Sequence, residues 1–312
     1  MYNILNNYKR LLLFLIKWAI VAGALYYIYQ KVMGQEQLSL YQFQEQLLVL
    51  VGNGFWWMLL VLLFTDLNWF LEVLKWQKLV QPIRQISLLE SYIHCLSSLT
   101  VAVLTPNKIG EYGAKALYFK KAVWKHILVL NLVGNGCQFA VTLFFGAIGM
   151  FFLVQHFSEH IASVVIFDGL IFIGVVVLIT LFSWNLLKSK YQTLKKVVPL
   201  ASIQFTFNLS FLRYLVFSHQ FIVFLYLFGV EIDYFIFINL LFCMYVLASI
   251  IPTLALFDWA IKGSIAVWLF GFVGVDEFTI LTISALMWLL NVAIPSVIGA
   301  FFVLKFKPVD TI

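Results

Sequence analysis

The sequence predicts an all-α polytopic membrane protein built from two inverted-topology repeats, each holding a broken or re-entrant helical hairpin. Three observations carry this. The chain of 312 residues is 63% hydrophobic and only 11% charged, whereas soluble domains are about half apolar and about a quarter charged. Several apolar runs reach the roughly 20 residues needed to cross a hydrocarbon layer. Two proline-containing breaks with similar charge patterns fall about half a chain apart, at Pro106 and Pro252.

The elements follow in order. Spans are read near 11–30, 50–74, 126–154, 161–184, 200–229 and 278–304, with broken apolar stretches at 87–125 and 234–273. No cleavage pattern of a signal peptide follows the first run, so Leu11 to Tyr29 reads as a retained helix. Lys17 lies near enough to its start to snorkel toward the headgroups. The whole chain, 1–312, reads as one membrane domain. Residues 50–154 form the first repeat and 200–304 the second, with 11–30 and 161–184 as additional spans.

The net charge of +6 is distributed as a topology signal rather than as a nucleic-acid footprint. Basic residues cluster at Lys9/Arg10, Lys75/Lys78/Arg84, Lys108 to Lys125, Lys188 to Lys196 and Lys305/Lys307. The intervening loops carry Glu36, Glu45, Glu159, Glu231, Asp233, Asp276 and Glu277, with only Lys31 basic. Positive loops remain cytoplasmic, so both termini are expected in the cytoplasm of a cell with this chain in its inner or plasma membrane. By the same map, 87–125 enters and leaves on the cytoplasmic side, and 234–273 on the external side.

The two breaks share a pattern. Pro106 is followed by Glu111 and Lys115, and Pro252 by Asp258 and Lys262. Proline suits the start of a helix because its missing N–H has no intrahelical partner there. A carboxylate in the opening turns is favoured by the helix dipole, and lysine at i+4 shares its face. Paired breaks in corresponding halves point to a transport site near the membrane midplane. Pro106, Glu111, Lys115, Pro252, Asp258 and Lys262 are therefore the candidate substrate-binding residues. The structural alternative is a pair of simple capping salt bridges.

A charge at mid-membrane costs about 2.5–3.5 kcal/mol on insertion scales, so the other polar residues within spans are candidates for lining the same cavity. The cavity candidates among them are Asp66, Glu72, Asn131, Asn135, Gln138 and Arg213; Asn68, Asn239 and Asn291 also sit in apolar surroundings. Asn131, Asn135 and Gln138 share one helical face, a pattern that also serves as hydrogen-bonding glue between helices. Asp66 and Glu72 have lysines near enough in sequence to pair with. Lys75, Trp76 and Lys78 read as an interfacial anchor. His219 reads as a packed, hydrogen-bonded histidine, and Cys95, Cys137 and Cys243 as buried free thiols. No phosphate-binding glycine loop, HExxH or GxSxG motif is present, so no enzymatic activity, cofactor or metal is expected.

The run Asn68-Trp69, Leu74-Lys75-Trp76, then Leu104-Thr105-Pro106 through Ile109-Gly110-Glu111, resembles the transmembrane region of the lysylphosphatidylglycerol synthase/flippase family. Pro252 and Asp258 match a second break in that family's later half. The resemblance covers about 50–304. The chain departs from it at Asn107, at the spacing of Lys115, and at Leu256-Phe257. It implies a lipid translocase module without the synthase domain that some members carry. The expected function is thus to translocate or bind an amphiphilic lipid with a charged headgroup, with membrane lipids as partners and no nucleic acid. Two other classes share parts of the pattern: an ion-coupled carrier of a small solute, and a membrane enzyme or assembly factor acting on a lipid-linked sugar.

Overall fold

The computed structural model describes Leu48, Gly52 and residues 55–105, 108–158, 199–231, 233–251 and 258–307. Every regular element among the described residues is helical. The spans read at 11–30 and 161–184, the loop position Glu159, and both Pro106 and Pro252 lie outside the described residues.

Helices α1 (Phe55–Val80) and α4 (Trp124–Phe157) bracket two short ones, α2 (Leu88–Val103) and α3 (Ile109–Ala116). The second half repeats this order. Helix α5 (Leu200–Leu227) is followed by short α6 (Tyr234–Ile250) and α7 (Asp258–Gly271). A long final helix is built from α8 (Glu277–Trp288), a π-helical turn (Leu289–Ala293) and α9 (Ile294–Lys305). Four of these helices are long and apolar enough to cross a membrane: Trp56–Val80, Lys121–Phe157, Leu200–Leu227 and Glu277–Lys305. The 26 residues of α1 reach roughly 39 Å at 1.5 Å per residue, which exceeds a hydrocarbon core of about 30 Å. Its outward-facing residues include Trp56, Leu63 and Phe70, and α4 likewise turns Leu132, Phe144 and Phe151 outward. Large apolar side chains exposed along whole helices suit lipid as the surrounding solvent.

The acidic loop residues cap helices. The Asp233 carboxylate accepts from Phe235 N at 2.8 Å at the start of α6, and Asp276 accepts from Thr279 N at 2.9 Å at the start of α8. Ser87 and Glu90 form a capping box on α2, and Arg84 holds Glu90 at 2.6 Å. The Asp233, Asp276 and Ser87/Glu90 caps satisfy backbone donors that a helix start leaves without partners.

The final helix is interrupted for a local reason. Pro295 has no N–H to give to the carbonyl of Asn291, and its ring crowds that carbonyl. The backbone widens to a π turn over Leu289–Ala293, a feature often found at functional positions. The Asn291 side chain donates to Met287 O at 3.0 Å within the same helix.

Packing exchanges elements between the halves. Helix α1 lies along α5, α2 along α9, and α6 along α4, while α3 packs on α4 and α7 on α8. Two of these contacts depend on absent side chains. A Cβ built on Gly299 collides with the backbone carbonyl of Leu96, and Thr100 Oγ1 next to it donates to Ser296 O at 2.7 Å. A Cβ on Gly149 meets Asn239 O at 2.7 Å, and one on Gly146 runs into Val246. The larger core is aromatic. Tyr214 is fully buried and stacks on Phe145 with ring centroids 4.8 Å apart, near Phe221, Phe237 and Phe270. A second core gathers Trp76, Leu79, Phe119, Ile127 and Leu130 around α1 and α4.

Candidate functional site

The helix breaks open onto one cavity of about 510 Å³. Its walls draw on all four long helices and on the short pairs from both halves. Arg213, on the wall from α5, lies 13 residues from Leu200 and 14 from Leu227, so it sits about 20 Å from either end of its helix.

Local structure brings the first break to the wall. Helix α3 begins after Lys108, whose φ of 58° is left-handed, a conformation that non-glycine residues seldom adopt. Thr105 Oγ1 accepts from Gly110 N at 2.8 Å and so caps the new helix. A Cβ at Gly110 would meet Thr105 and Val101 O at about 2.9 Å, so only glycine lets the chain turn here. Glu111 then falls in the first turn and Lys115 in the last. In the second half, Asp258 opens α7 and Lys262 follows one turn later.

All four of these charged residues line the cavity. Lys115 Nζ donates to Glu111 Oε1 at 2.6 Å, and Lys262 Nζ to Asp258 Oδ2 at 2.7 Å. Lys108 also lines the wall, close enough to Asp258 for their charges to act on each other across the two halves. Of the remaining sequence candidates, Glu72, Asn135, Gln138 and Arg213 line the cavity. Asn131 does not; it is buried behind the wall and accepts from Lys115 Nζ at 3.0 Å. Asp66 is exposed on another face of α1 and is not among the lining residues. One helical turn separates Asn68 from Glu72, which sets both on the inner face, whereas Asp66 is two residues from Asn68 and points elsewhere.

A continuous polar chain runs through the wall. Gln220 Nε2 donates to Thr65 Oγ1 at 2.8 Å, and Gln220 Oε1 accepts from Asn291 Nδ2 at 2.9 Å. Asn291 Oδ1 accepts from Asn68 Nδ2 at 2.8 Å, and Asn68 Oδ1 accepts from Arg213 Nε at 2.8 Å. Arg213 Nη1 reaches Glu72 Oε2 at 2.7 Å. Glu72 also pairs with Lys75 at 2.6 Å and stands 3.9 Å from Lys115. Lys115 in turn rests over the Trp76 ring, 4.4 Å from its centroid. A buried ionised group needs such partners, since desolvation otherwise costs several kcal/mol per ion.

This chain corrects one reading. Lys75 and Trp76 are not an interfacial anchor: they are 2% and 1% exposed, and α1 runs to Val80 rather than ending near 74. Lys75 is instead a partner of Glu72. Asn68, Gln220 and Asn291 were not singled out as site residues. The spacing of Asn68, Glu72 and Lys75 on one face of α1 is the local signal for Asn68 alone. His219 is hydrogen-bonded as read, to Leu215 O at 2.8 Å and Tyr234 OH at 2.9 Å. The three cysteines are free and buried.

The wall also carries apolar and aromatic side chains, including Leu99, Phe139, Phe217, Phe221 and Met244. Four lining residues retain buried polar atoms without a hydrogen-bond partner among the described residues: Trp69 Nε1, Gln138 Oε1, Ser284 Oγ and Trp288 Nε1. Such atoms in a native wall call for water or a ligand.

No protein-family profile and no curated protein sequence matches the chain significantly.

Proposed function

We propose that this protein is a transporter-like lipid translocase, resembling the flippase portion of the lysylphosphatidylglycerol synthase/flippase family, and that the cavity takes an amphiphilic lipid with a charged headgroup. The observation that carries the reading is the mixed wall. Ion pairs and amides line the same cavity as large apolar and aromatic side chains such as Leu99, Phe139, Phe217, Phe221 and Met244. A polar headgroup and the start of its acyl chains need those two environments together. A small polar solute would leave the apolar wall unused. An enzyme working through carboxylates would need one left free, and each lining carboxylate among the described residues is ion-paired.

The exchange of packing partners between the halves supports inverted repeats over 50–154 and 200–304. The short helix α2 of the first half lies on α9, the last of the second, while α6 of the second lies on α4, the last of the first. A two-fold axis in the membrane plane produces such reciprocal pairs. In this reading the breaks at Pro106 and Pro252 enter from opposite faces of the inner or plasma membrane, and both termini are cytoplasmic.

The test is photochemical. The purified chain, reconstituted with a phospholipid carrying a diazirine near its headgroup, is irradiated and digested. The reading predicts adducts on peptides bearing Phe139, Phe217 or Met244. Adducts confined to outward residues such as Phe70 and Phe144 would refute it.

A further inference from the structure

Among the described residues the ionised groups of the cavity do not balance. Three carboxylates line it there, Glu72, Glu111 and Asp258, against four cations, Lys108, Lys115, Arg213 and Lys262. Lys75 stands behind Glu72 as a fifth. Pairing removes Lys115 with Glu111, Lys262 with Asp258 and Lys75 with Glu72, at 2.6, 2.7 and 2.6 Å. Two positive charges remain, Arg213 and Lys108. Arg213 shares Glu72 and Asn68 through Nη1 and Nε, which leaves Nη2 without a hydrogen bond among the described residues. The Lys108 ammonium makes no salt bridge among the described residues and feels Asp258, already paired with Lys262, only at longer range.

An uncompensated positive charge in a water-poor interior is costly, and a bound anion removes the cost. Arginine presents a fork suited to the oxygens of phosphate or carboxylate. Neutral donors stand on the same wall: the indole N–H groups of Trp69 and Trp288, each buried and without an acceptor among the described residues. Among the unpartnered lining atoms these two are donors only, which an anion satisfies and an ammonium does not. The backbone adds a further sign. Lys108 keeps a left-handed φ of 58°, a strained conformation for a residue with a long side chain, where glycine or asparagine would fit more easily.

We infer that the cavity selects a net-anionic group, a phosphate or carboxylate without a balancing amine, held between Lys108 and Arg213. This deepens the lipid reading and rests on it.

The experiment measures binding to the full chain in detergent. The probes are phosphatidylglycerol, phosphatidylcholine and a diacyl trimethylammonium lipid, with inorganic phosphate and glycerol 3-phosphate as soluble anions. Phosphatidylglycerol is expected to bind at least tenfold tighter than phosphatidylcholine, and the cationic lipid weakest. Lys108→Asn removes the charge yet tolerates the left-handed backbone. It should weaken phosphatidylglycerol about tenfold and leave phosphatidylcholine and the melting temperature nearly unchanged. Asp66→Asn, on an exposed face off the cavity wall, should keep the preference for the anion. Lipid binding with no preference, a preference for the cationic lipid, or an unchanged Lys108→Asn variant would overturn the anion inference while the lipid reading stands. Binding of glycerol 3-phosphate or phosphate with no lipid binding would overturn the lipid reading and keep the anion site. Binding of no probe would overturn both.

Discussion

Replacing Glu72 with glutamine should destabilise the protein more than any other single charge removal in the cavity. Glu72 is 7% exposed and meets Lys75 at 2.6 Å, Arg213 at 2.7 Å and Lys115 at 3.9 Å. Lys115 keeps Glu111, and Arg213 keeps Asn68. Lys75, itself 2% exposed, has no second carboxylate among the described residues. Its ammonium would then be buried without a counter-charge, and removing one partner of a buried pair costs about 3–5 kcal/mol. At about 2 °C per kcal/mol, the low end expected for a large domain, the melting temperature should fall by roughly 6–10 °C. Tryptophan fluorescence of the purified protein during a thermal ramp measures it. Lys75→Met alone should cost less, because Glu72 retains Arg213. The double variant Glu72→Gln/Lys75→Met should recover most of the loss, since replacing both members of a buried pair by neutral groups is often close to neutral. A Glu72→Gln protein melting within 1–2 °C of wild type, or a double variant no better than the single one, would refute the assignment of Lys75 as its dependent partner (thresholds of about 1 kcal/mol or less on the same scale).

Further outcomes follow from packing and from the polar chain. Gly299→Val should lose about 1–3 kcal/mol or more through overpacking, because its side chain meets the Leu96 backbone; Gly113→Ala, with nothing within 4 Å, should be silent in the same melting assay. Asn291→Leu should cost about 1–3 kcal/mol, since it leaves Asn68 and Gln220 each short of a buried partner; a double-mutant cycle with Gln220→Leu should show coupling, and strict additivity would argue against the chain. Asp66→Asn should change neither lipid binding nor melting appreciably, because Asp66 is exposed and off the cavity wall; a loss of binding in a quantitative lipid assay would redraw the site.

The order of long and short helices was legible because local chemistry announces it. Apolar length marks α1, α4, α5 and the final helix. Capping acids and serines mark the starts of α2, α6 and α8. The i,i+4 pairs Glu111/Lys115 and Asp258/Lys262 were also legible, since helical spacing alone puts their partners in reach. The polar chain was not. Arg213 and Glu72 are separated by 141 residues and Asn68 and Asn291 by 223, and no local pattern reports such pairings. Lys75 was misread for a related reason. Beside Trp76 it has the composition of a bilayer boundary, but burial between α1 and α4 decided its role. The π turn has a sequence cause in Pro295, yet its consequence, the aim of Asn291, depends on where Gln220 and Asn68 lie.

The central claim is that this cavity passes lipid, and translocation in vesicles tests it most directly. Vesicles containing headgroup-labelled phosphatidylglycerol are exposed to an impermeant quencher, with and without the reconstituted protein. The account predicts that wild-type protein makes nearly all of the label accessible, whereas protein-free vesicles lose only the outer-leaflet share. Glu111→Gln should remain folded, because Lys115 keeps Asn131 at 3.0 Å and the Trp76 ring at 4.4 Å. It should be arrested in translocation, since Lys115, left with only Glu72 at 3.9 Å, would retain the headgroup. Wild-type vesicles quenched no further than protein-free ones, or a folded Glu111→Gln protein that moves lipid at the wild-type rate, would contradict the account.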